Sequence, residues 1–405
     1  MCRSLLLELG MTGIDAVRGD RLVAAAAREL PPGERLQLIA VGKAAAAMAA
    51  GARRSLGKRV ARTLVITKEG HVAPWSAELK GAEVIEAGHP LPTAASLRAG
   101  ERLLAFIREA GEEAEFLLLI SGGTSSLLEA PVEGVDLETL QRVNRWLLGS
   151  GLDIAQLNAV RRRISRIKGG NLLQVLGGRT TRVWLISDVP GDDPAVIGSG
   201  PCYPPPSPDA GGEPAYPDWL AELLQRVPRP PAIEGPVPEH RILGNLDMAC
   251  RAVVEAARQG GHAAHYHRPE LDGDAEQTGL ELAARLAGLP PGVHVWGGET
   301  TVRLPPHPGR GGRNQQLALA AATVLAGSEG RCMLAIGTDG TDGPTEDAGA
   351  LVDGGTLARG EAEGLSAAEH LRRADAGRFL EASGDLVSTG PTGTNVRDLL
   401  LAMKE

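Results

Sequence analysis

Five glycine-rich segments hold most of the residues in this sequence whose types could do chemistry. Each follows a short apolar run, and most precede a stretch with helical spacing. In open α/β sheets such segments lie at the carboxyl ends of strands, where ligands bind. The segments are Val41-Gly42-Lys43, 120–126, 187–194, 297–315 and 337–345.

The second segment has the composition of a phosphate-binding loop and reads Ser121-Gly122-Gly123-Thr124-Ser125. Its glycines let backbone N–H groups point at an anion, its hydroxyls add donors, and a following helix would add its dipole. The chain contains neither GxxxxGK[ST] nor GxGxxG, so a Walker A loop and the usual dinucleotide fingerprint are both missing. Taken alone, the five residues fit a tight strand-to-helix turn equally well.

The third and fifth segments are rich in aspartate. Asp188 and Asp192 follow one apolar run, and Asp339 and Asp342 follow another. Carboxylate oxygens suit Mg²⁺, especially when the ion also holds a phosphate chain. Aspartate is common in turns for structural reasons, which favours a structural interpretation of any one of them. Their number at strand ends favours a metal or phosphate role for the group.

Two cations lie at predicted element boundaries. The chain has six lysines against 36 arginines, and Lys43 comes where an apolar run ends and an alanine-rich helix begins. A lysine there is costly unless an anion pairs with it. Arg313 begins a predicted helix, where its charge opposes the helix dipole. It is either a ligand-binding residue or a partly exposed helix residue. A phosphate loop, carboxylates and two cations are the parts of a phosphoryl-transfer site.

The elements that must position these segments alternate between strand and helix over the first 200 residues. This alternation predicts βαβ units and a parallel sheet. Strands are expected at 36–41, 63–67, 83–86, 116–120 and 183–187. Helices are expected at 12–30, 137–149 and 153–168. The proline-rich region at 201–238 predicts a linker that contains one short helix, at 218–226.

A second α/β block follows the proline-rich region, and the length of 405 residues suits two domains. We place the domains at 1–235 and 236–405. In the second block strands are expected at 241–243, 262–268, 293–296 and 332–336, with a hairpin strand at 300–304. Its helices are expected at 247–259, 274–287, 313–326 and 394–403.

Composition excludes several functional classes. Hydrophobic residues make up 43% and charged residues 23%, which is typical of globular proteins. A net charge of −8 and 3% aromatic residues argue against a nucleic-acid partner. No run approaches the roughly 20 apolar residues of a membrane span, so no membrane partner is expected. The four cysteines are scattered and need not form disulfides, so we expect a reducing, cytoplasmic location.

Longer motifs carry a family resemblance. They are NAVRRRISRIKGGNL (158–172), SDVPGDDPAVIGSGP (187–201), GRGGRNQQLALAAA (309–322), GTDGTDGPTEDAGALVD (337–353) and TGPTGTNVRDLL (389–400). With these motifs the chain resembles the class II glycerate kinase family, from VGKAAAAMA (41–49) nearly to its end. The family implies transfer of the ATP γ-phosphoryl group to D-glycerate, with 2-phosphoglycerate as the typical bacterial and archaeal product. The implied cofactors are ATP and Mg²⁺.

The resemblance also implies a fold and a set of roles. The fold is α/β, with a Rossmann-like N-terminal domain, a second α/β domain containing a MOFRL region at about 292–400, and an active site in the cleft between them. The family's cleft lysine and arginine match Lys43 and Arg313, expected to stabilise charge around the phosphoryl group and the glycerate carboxylate. Nucleotide phosphates would contact Ser121, Gly122, Gly123, Thr124, Ser125, Lys168 and Asn171. Asp188 and Asp192 would position Mg²⁺ or orient the attacking hydroxyl, and the opposite wall would consist of Glu299, Asn314, Asp339 and Asp342.

Two other functions compete with this interpretation. An NAD(P)H-dependent hydroxypyruvate reductase is a label often given to relatives, but the missing GxGxxG and the absence of a hydride-transfer His/Arg pair argue against it. A nucleotide-sensing module without catalysis would keep the loop and tolerate loss of Lys43. The sequence leaves open the choice between 2- and 3-phosphate products and between a monomer and a homo-oligomer.

Overall fold

The computed structural model describes residues 2–31, 33, 35–152, 154–204, 215–228 and 236–405. Its helices are α1 (Cys2–Ala16), α2 (Gly19–Ala27), α3 (Ala45–Leu56), α4 (Ala94–Arg108), α5 (Thr124–Leu127), α6 (Leu137–Gly149), α7 (Ile154–Arg163), α8 (Leu172–Leu176), α9 (Asp218–Arg226), α10 (Leu246–Gln259), α11 (Ala275–Leu286), α12 (Arg313–Leu325), α13 (Thr356–Ala362), α14 (Ala367–Arg372) and α15 (Ala376–Ala382). Its strands are β1 (Leu36–Val41), β2 (Val60–Lys68), β3 (Glu83–Ala87), β4 (Glu115–Ser121), β5 (Thr181–Ile186), β6 (Glu239–Gly244), β7 (Ala264–Tyr266), β8 (Gly292–Gly298), β9 (Arg331–Gly337), β10 (Gly349–Asp353), β11 (Leu386–Val387) and β12 (Asp398–Lys404).

The chain forms two compact units, which differ from the expected division at 235/236. The N-terminal unit is Gly19–Leu243, and the C-terminal unit is Met1–Arg18 with Gly244–Glu405. Helix α1 belongs to the C-terminal unit because its glycines allow close packing there. A Cβ on Gly10 would lie 2.7 Å from the Leu334 side chain. The other boundary falls after 235 because β6 is a strand of the N-terminal sheet.

The N-terminal unit is built on a six-stranded sheet in the order β3-β2-β1-β4-β5-β6. Strands β1 to β5 pair in parallel, as expected, and their carboxyl ends lie at one edge. Residues Phe116–Ile120 of β4 are all buried, because helices cover both faces of a doubly wound sheet. This central strand was correctly predicted from its unbroken apolar run.

Two helix predictions in this part of the chain are wrong in extent. The expected helix 12–30 is two helices, α1 and α2, that lie in different units. The expected helix 153–168 ends at Arg163, and the chain then turns through Gly169 and Gly170, which have φ of 63° and 85°. The proline-rich linker falls partly outside the described residues, at 205–214 and 229–235. Helix α9 between these gaps is where it was expected, and it packs on α6 and α7.

The C-terminal unit has a mixed six-stranded sheet in the order β11-β10-β9-β12-β8-β7. Strand β12 runs antiparallel between β8 and β9, so the expected helix at 394–403 is wrong. The run Leu399–Met403 is apolar at every position because it is buried in the middle of a sheet, and such a run resembles a buried helix. The expected hairpin strand at 300–304 is also wrong, since only Thr301 makes an isolated bridge there, to Asp274.

Cys2 of α1 and Cys332 of β9 form a disulfide within the C-terminal unit. The scattered spacing of the cysteines gave no sign of this pair, although it did not exclude one. Cys202 and Cys250 are free thiols and are buried. Among the helices of the described residues, none is long and apolar enough to cross a membrane.

Candidate active-site residues in the two units

The predicted site residues form two clusters, one in each unit. In the N-terminal unit the strand order reverses between β1 and β4, because β2 and β3 continue on one side of β1 and β5 continues beyond β4. Such a switch point leaves a crevice at the carboxyl ends of the two strands, where open α/β sheets bind ligands. Lys43 follows β1 and the Ser121–Ser125 loop follows β4, so both predicted segments lie at this crevice.

Direct contacts join the two segments. The Lys43 N–H donates to the Gly122 carbonyl at 2.9 Å, and the Ala44 N–H donates to Ser121 Oγ at 3.0 Å. Gly123 has φ of 85°, and a Cβ there would lie 3.0 Å from Lys43 Cγ. The loop therefore needs glycine at 123 both for its backbone conformation and for the approach of the lysine stem.

Two of the loop hydroxyls stabilise the loop itself. Ser121 is fully buried, and Thr124 Oγ1 donates to the carbonyls of Ser121 and Val41 at 2.7 and 3.1 Å. Gly123 and Ser125 remain partly exposed, so they are the loop residues open to a ligand. Helix α5 has only four residues, so the helix dipole expected behind this loop contributes little.

Lys168 and Asn171 are engaged inside the unit. Lys168 Nζ donates to the Ser125 carbonyl at 2.7 Å and forms an ion pair with Glu129, and both charged side chains are buried. Burial lowers the pKa of Lys168 and raises that of Glu129. Asn171 Nδ2 donates to the Ser165 carbonyl at 2.7 Å. In this structure Lys168 supports the loop through Ser125, and Asn171 supports the segment that follows α7.

Sequence reasoning missed two histidines at this edge. His71 Nδ1 lies 3.2 Å from the Lys43 carbonyl oxygen, and a Cβ on Gly123 would lie 3.4 Å from His89 Cδ2. His71 follows β2 and His89 follows β3, so both come just after strands of the parallel sheet. This position at strand ends is the signal that would have found them.

Asp188 and Asp192 lie on the loop after β5, at the same edge of the sheet, and both are partly exposed. Two carboxylates suit Mg²⁺, which commonly binds one or two carboxylates together with substrate phosphates and waters. Within the described ranges no three or more His, Cys, Asp or Glu side chains are arranged to hold a metal ion. Two carboxylates fit an ion that a bound nucleotide would also help to hold.

In the C-terminal unit the cluster is centred on Arg313, the first residue of α12. Its Nε and one terminal nitrogen donate to the two carboxylate oxygens of Asp398 at 2.5 and 3.0 Å, and its other terminal nitrogen lies 2.8 Å from Glu299. These carboxylates raise the pKa of Arg313. Asp398 pairs with Gly298 and Gly337 across β12, which brings it between the ends of β8 and β9.

Asp342 caps helix α12. Its two oxygens accept hydrogen bonds from the N–H groups of Gln315 and Asn314 at 2.8 and 3.1 Å, and the side chain is buried. Burial raises the pKa of Asp342 to about 7. Asp339 is buried as well and accepts from the Thr341 N–H at 2.9 Å. Of the predicted wall residues, Glu299 alone has an exposed side chain, at 44%.

Asp398 was missed as a site residue, although it lies in the quoted motif TGPTGTNVRDLL. It was missed because a helix was expected at 394–403, whereas Asp398 is the first residue of strand β12 and so lies between the ends of β8 and β9. Asp398 holds the guanidinium of Arg313 with two contacts, and Glu299 adds a third.

Comparison with known proteins matches two families to the chain. Residues 5–212 match the family described as "Domain of unknown function (DUF4147)", and residues 292–398 match the MOFRL family. The latter range agrees with the region expected at about 292–400.

Relatives match along nearly the whole chain. A protein of Thermotoga maritima named D-glycerate 2-kinase is 36% identical over 99% of this chain and 98% of its own. A glycerate 2-kinase of Pyrococcus horikoshii is 35% identical over 91% of this chain and 87% of its own. An Agrobacterium vitis protein named "Putative hydroxypyruvate reductase" is 36% identical over 90% of this chain and 98% of its own. The crystal structure of a Thermotoga maritima glycerate kinase superposes with a TM-score of 0.83 at 35% identity, covering 100% of this chain and 99% of that one.

Proposed function

Because this chain belongs to the glycerate kinase family that combines the DUF4147 and MOFRL domains, we propose that it transfers the γ-phosphoryl group of ATP to D-glycerate. The products are 2-phosphoglycerate and ADP. The relatives named D-glycerate 2-kinase in Thermotoga maritima and glycerate 2-kinase in Pyrococcus horikoshii match the chain over most of its length.

One observation carries the proposal on physical grounds. A lysine and a glycine-serine loop meet at the switch point of a parallel sheet, joined by the hydrogen bond from Lys43 N–H to the Gly122 carbonyl. Phosphoryl transfer depends on holding and neutralising a polyphosphate more than on covalent chemistry. A cation beside a loop whose Gly123 and Ser125 are partly exposed suits that task.

Each unit contributes its own roles. In the N-terminal unit Lys43 neutralises charge on the transferring phosphoryl group, Gly123 and Ser125 contact nucleotide phosphate, and Asp188 orients the attacking hydroxyl. Asp188 and Asp192 would hold Mg²⁺ together with the nucleotide, and that ion would supply positive charge to the phosphate chain. In the C-terminal unit Arg313 binds a substrate anion, with its guanidinium oriented by Asp398.

The test is a coupled assay of ADP release with D-glycerate, ATP and Mg²⁺, run on the wild type and Lys43→Ala. Lys58→Ala is the matched control, because Lys58 is exposed on the same unit. We expect glycerate-dependent ADP release that collapses in Lys43→Ala and persists in Lys58→Ala. NMR of the product should show the 2-phosphate.

Absence of glycerate-dependent ADP release from the wild type would overturn the proposal. The same protein would then be assayed with hydroxypyruvate and NADH, where turnover would establish the reductase. Unchanged activity in Lys43→Ala would remove that lysine from the mechanism. The cytoplasmic location and the oligomeric state stay predictions from the sequence.

A further inference from the structure

Helix α7 directs a cation toward a buried ion pair of the N-terminal unit. Arg161 lies near Glu129, whose charge acts on it, and Glu129 is already paired with Lys168. Asn158 is three residues earlier, so it lies on the same face of the helix as Arg161. Asn158, Glu129 and Lys168 are 6%, 1% and 2% exposed, so this face of α7 is turned inward.

Polar atoms on this face have no bonding partner. Among the described residues, Arg161 Nε and Asn158 Oδ1 are enclosed and make no hydrogen bond. In native proteins nearly all buried polar atoms are hydrogen-bonded, to protein or to something else. An enclosed donor and an enclosed acceptor three residues apart therefore indicate that another molecule completes the bonding.

The positive charges of this group outnumber its carboxylates. Glu129 acts electrostatically on Arg161, but it already forms an ion pair with Lys168. The side chain of Arg162 is half-buried and, within the described part of the chain, forms no ion pair or hydrogen bond. It packs over Gly169, where a Cβ would lie 1.8 Å from Arg162 Cδ, so its stem is held in place. Excess positive charge in a poorly solvated position is costly unless an anion accompanies it.

This cationic group is continuous with the loop after β4. Lys168 Nζ donates to the Ser125 carbonyl at 2.7 Å, and Ser125 Oγ lies 2.8 Å from Ser199 Oγ. Ser125 is one of the two loop residues open to a ligand. Arg161 and the proposed phosphate loop therefore flank the same buried pair, Lys168 and Glu129.

We propose that Arg161, with Asn158 beside it and Arg162 adding charge, forms a subsite for an oxyanion group of a substrate, next to the Ser121–Ser125 loop. The oxyanion is either a phosphate of the nucleotide or the carboxylate of the hydroxy acid, which share the chemistry that an arginine recognises. Arg161 donates to the oxyanion, and the Asn158 amide bonds a neighbouring polar group of the same ligand. This inference rests on the proposed kinase function, since it takes its two candidate ligands from that reaction.

The test compares Arg161→Gln and Arg161→Lys with Arg145→Gln, an exposed arginine of α6 that serves as the matched control. Calorimetry measures the binding of ADP and of D-glycerate separately, and steady-state assays give the two KM values. Loss of a charge-assisted hydrogen bond should weaken the binding of one of the two ligands by about 10- to 100-fold in Arg161→Gln. Arg161→Lys should recover part of that loss, and Arg145→Gln should match the wild type.

The ligand whose affinity falls in Arg161→Gln identifies the source of the oxyanion. A change confined to ADP assigns a phosphate subsite, and a change confined to D-glycerate assigns a carboxylate subsite. Without ligand, Arg161→Gln should unfold at a temperature equal to or above that of the wild type, because Lys168 already neutralises Glu129 and the substitution removes a poorly solvated positive charge. A lowered unfolding temperature with unchanged binding of both ligands would overturn the inference and make Arg161 a structural partner of Glu129.

Binding measurements also separate this inference from the proposed function. If the wild type binds ADP but transfers no phosphate, and Arg161→Gln weakens ADP, the subsite stands while the kinase reaction fails. If the wild type is an active kinase and Arg161→Gln binds both ligands normally, the function stands and the subsite is refuted.

Discussion

Replacing Asp398 with asparagine should misalign Arg313 without removing its charge. Asp398→Asn keeps the size of the side chain and one carbonyl oxygen, but it replaces the second oxygen with an amino group that faces the guanidinium. Arg313 donates two hydrogen bonds to Asp398, of 2.5 and 3.0 Å. The substitution removes one of them and also removes the negative charge of the carboxylate that accepts both.

The magnitude lies between two limits. Breaking a fully buried ion pair costs about 3–5 kcal/mol, and an exposed pair contributes about 0–1 kcal/mol. The side chains of Arg313 and Asp398 are 31% and 9% exposed, and Glu299 still holds the guanidinium at 2.8 Å. We therefore expect a loss of about 2 kcal/mol in the free energy of unfolding. For a unit of this size that lowers Tm by roughly 4–8 °C.

Activity should fall further than stability alone explains. Because the proposed role of Arg313 depends on the direction of its guanidinium, loss of the bidentate contact should lower kcat/KM by about tenfold or more at a temperature where the variant is folded. The assay is glycerate-dependent ADP release at 25 °C, paired with thermal denaturation. Glu299→Gln is the matched control, because it removes the more exposed carboxylate of the same arginine.

Two results would refute this reasoning. If Glu299→Gln reduced kcat/KM as much as Asp398→Asn, the orientation supplied by β12 would not be what the arginine needs. If Asp398→Asn changed neither Tm nor kcat/KM, the bidentate contact would contribute nothing measurable, and Arg313 would have to be positioned by α12 alone.

Three other predictions concern packing, capping and pH. Gly100→Ala should lower the free energy of unfolding by more than about 2 kcal/mol, the size of an overpacking defect, because its Cβ would lie 2.0 Å from the Glu129 carbonyl oxygen. Gly111 has open space around it, so Gly111→Ala should change the free energy of unfolding little, and urea denaturation measures both variants. Asn245→Ala should cost about 1 kcal/mol, since its side chain caps α10 by accepting from the Met248 N–H, and the urea midpoint should shift without a change in slope. His267 Nε2 lies 2.9 Å from His294 Nδ1, and burial lowers the pKa of His267 to about 4. The unfolded chain therefore binds a proton near pH 6.5 that the folded chain binds only near pH 4. The free energy of unfolding should fall by about 1–2 kcal/mol from pH 6.5 to pH 4, and this fall should be smaller in His267→Gln.

The N-terminal unit could be predicted well from the sequence because its signals are local. The strands β1 and β4 are apolar runs followed closely by glycine. The βαβ connections place the carboxyl ends of such strands at one edge. This is why Lys43 and the Ser121–Ser125 loop were expected at the carboxyl ends of strands; that β1 and β4 are neighbours is known only from the structure. The breaks at Arg18 and Arg163 were missed because helical spacing continues across them, and packing decides where those helices end.

The C-terminal unit could be predicted less well because its central strand depends on distant partners. The residues of β12 are apolar at each position from Leu399 to Met403, and periodicity cannot separate a helix from a strand that is buried on both faces. Its pairing with β8 and β9 spans long stretches of sequence. Asp398 could be located only after that pairing was known, so the main partner of Arg313 was missed although the arginine itself was found.

Residue type and loop position therefore select candidate residues without separating those that hold the loop from those that face a ligand. Ser121, Thr124, Asn314 and Asp342 were chosen for the same reasons as Ser125 and Glu299. Yet the side chains of Ser121, Thr124 and Asp342 bond backbone groups of their own unit. The Asn314 side chain donates to the Asp342 carboxylate. Buried polar groups must be satisfied, so burial divides each segment into an inner, bonded part and an outer, open part. By the same argument, the enclosed and unbonded Arg161 Nε is the stronger sign of a missing ligand than any satisfied side chain of the loop.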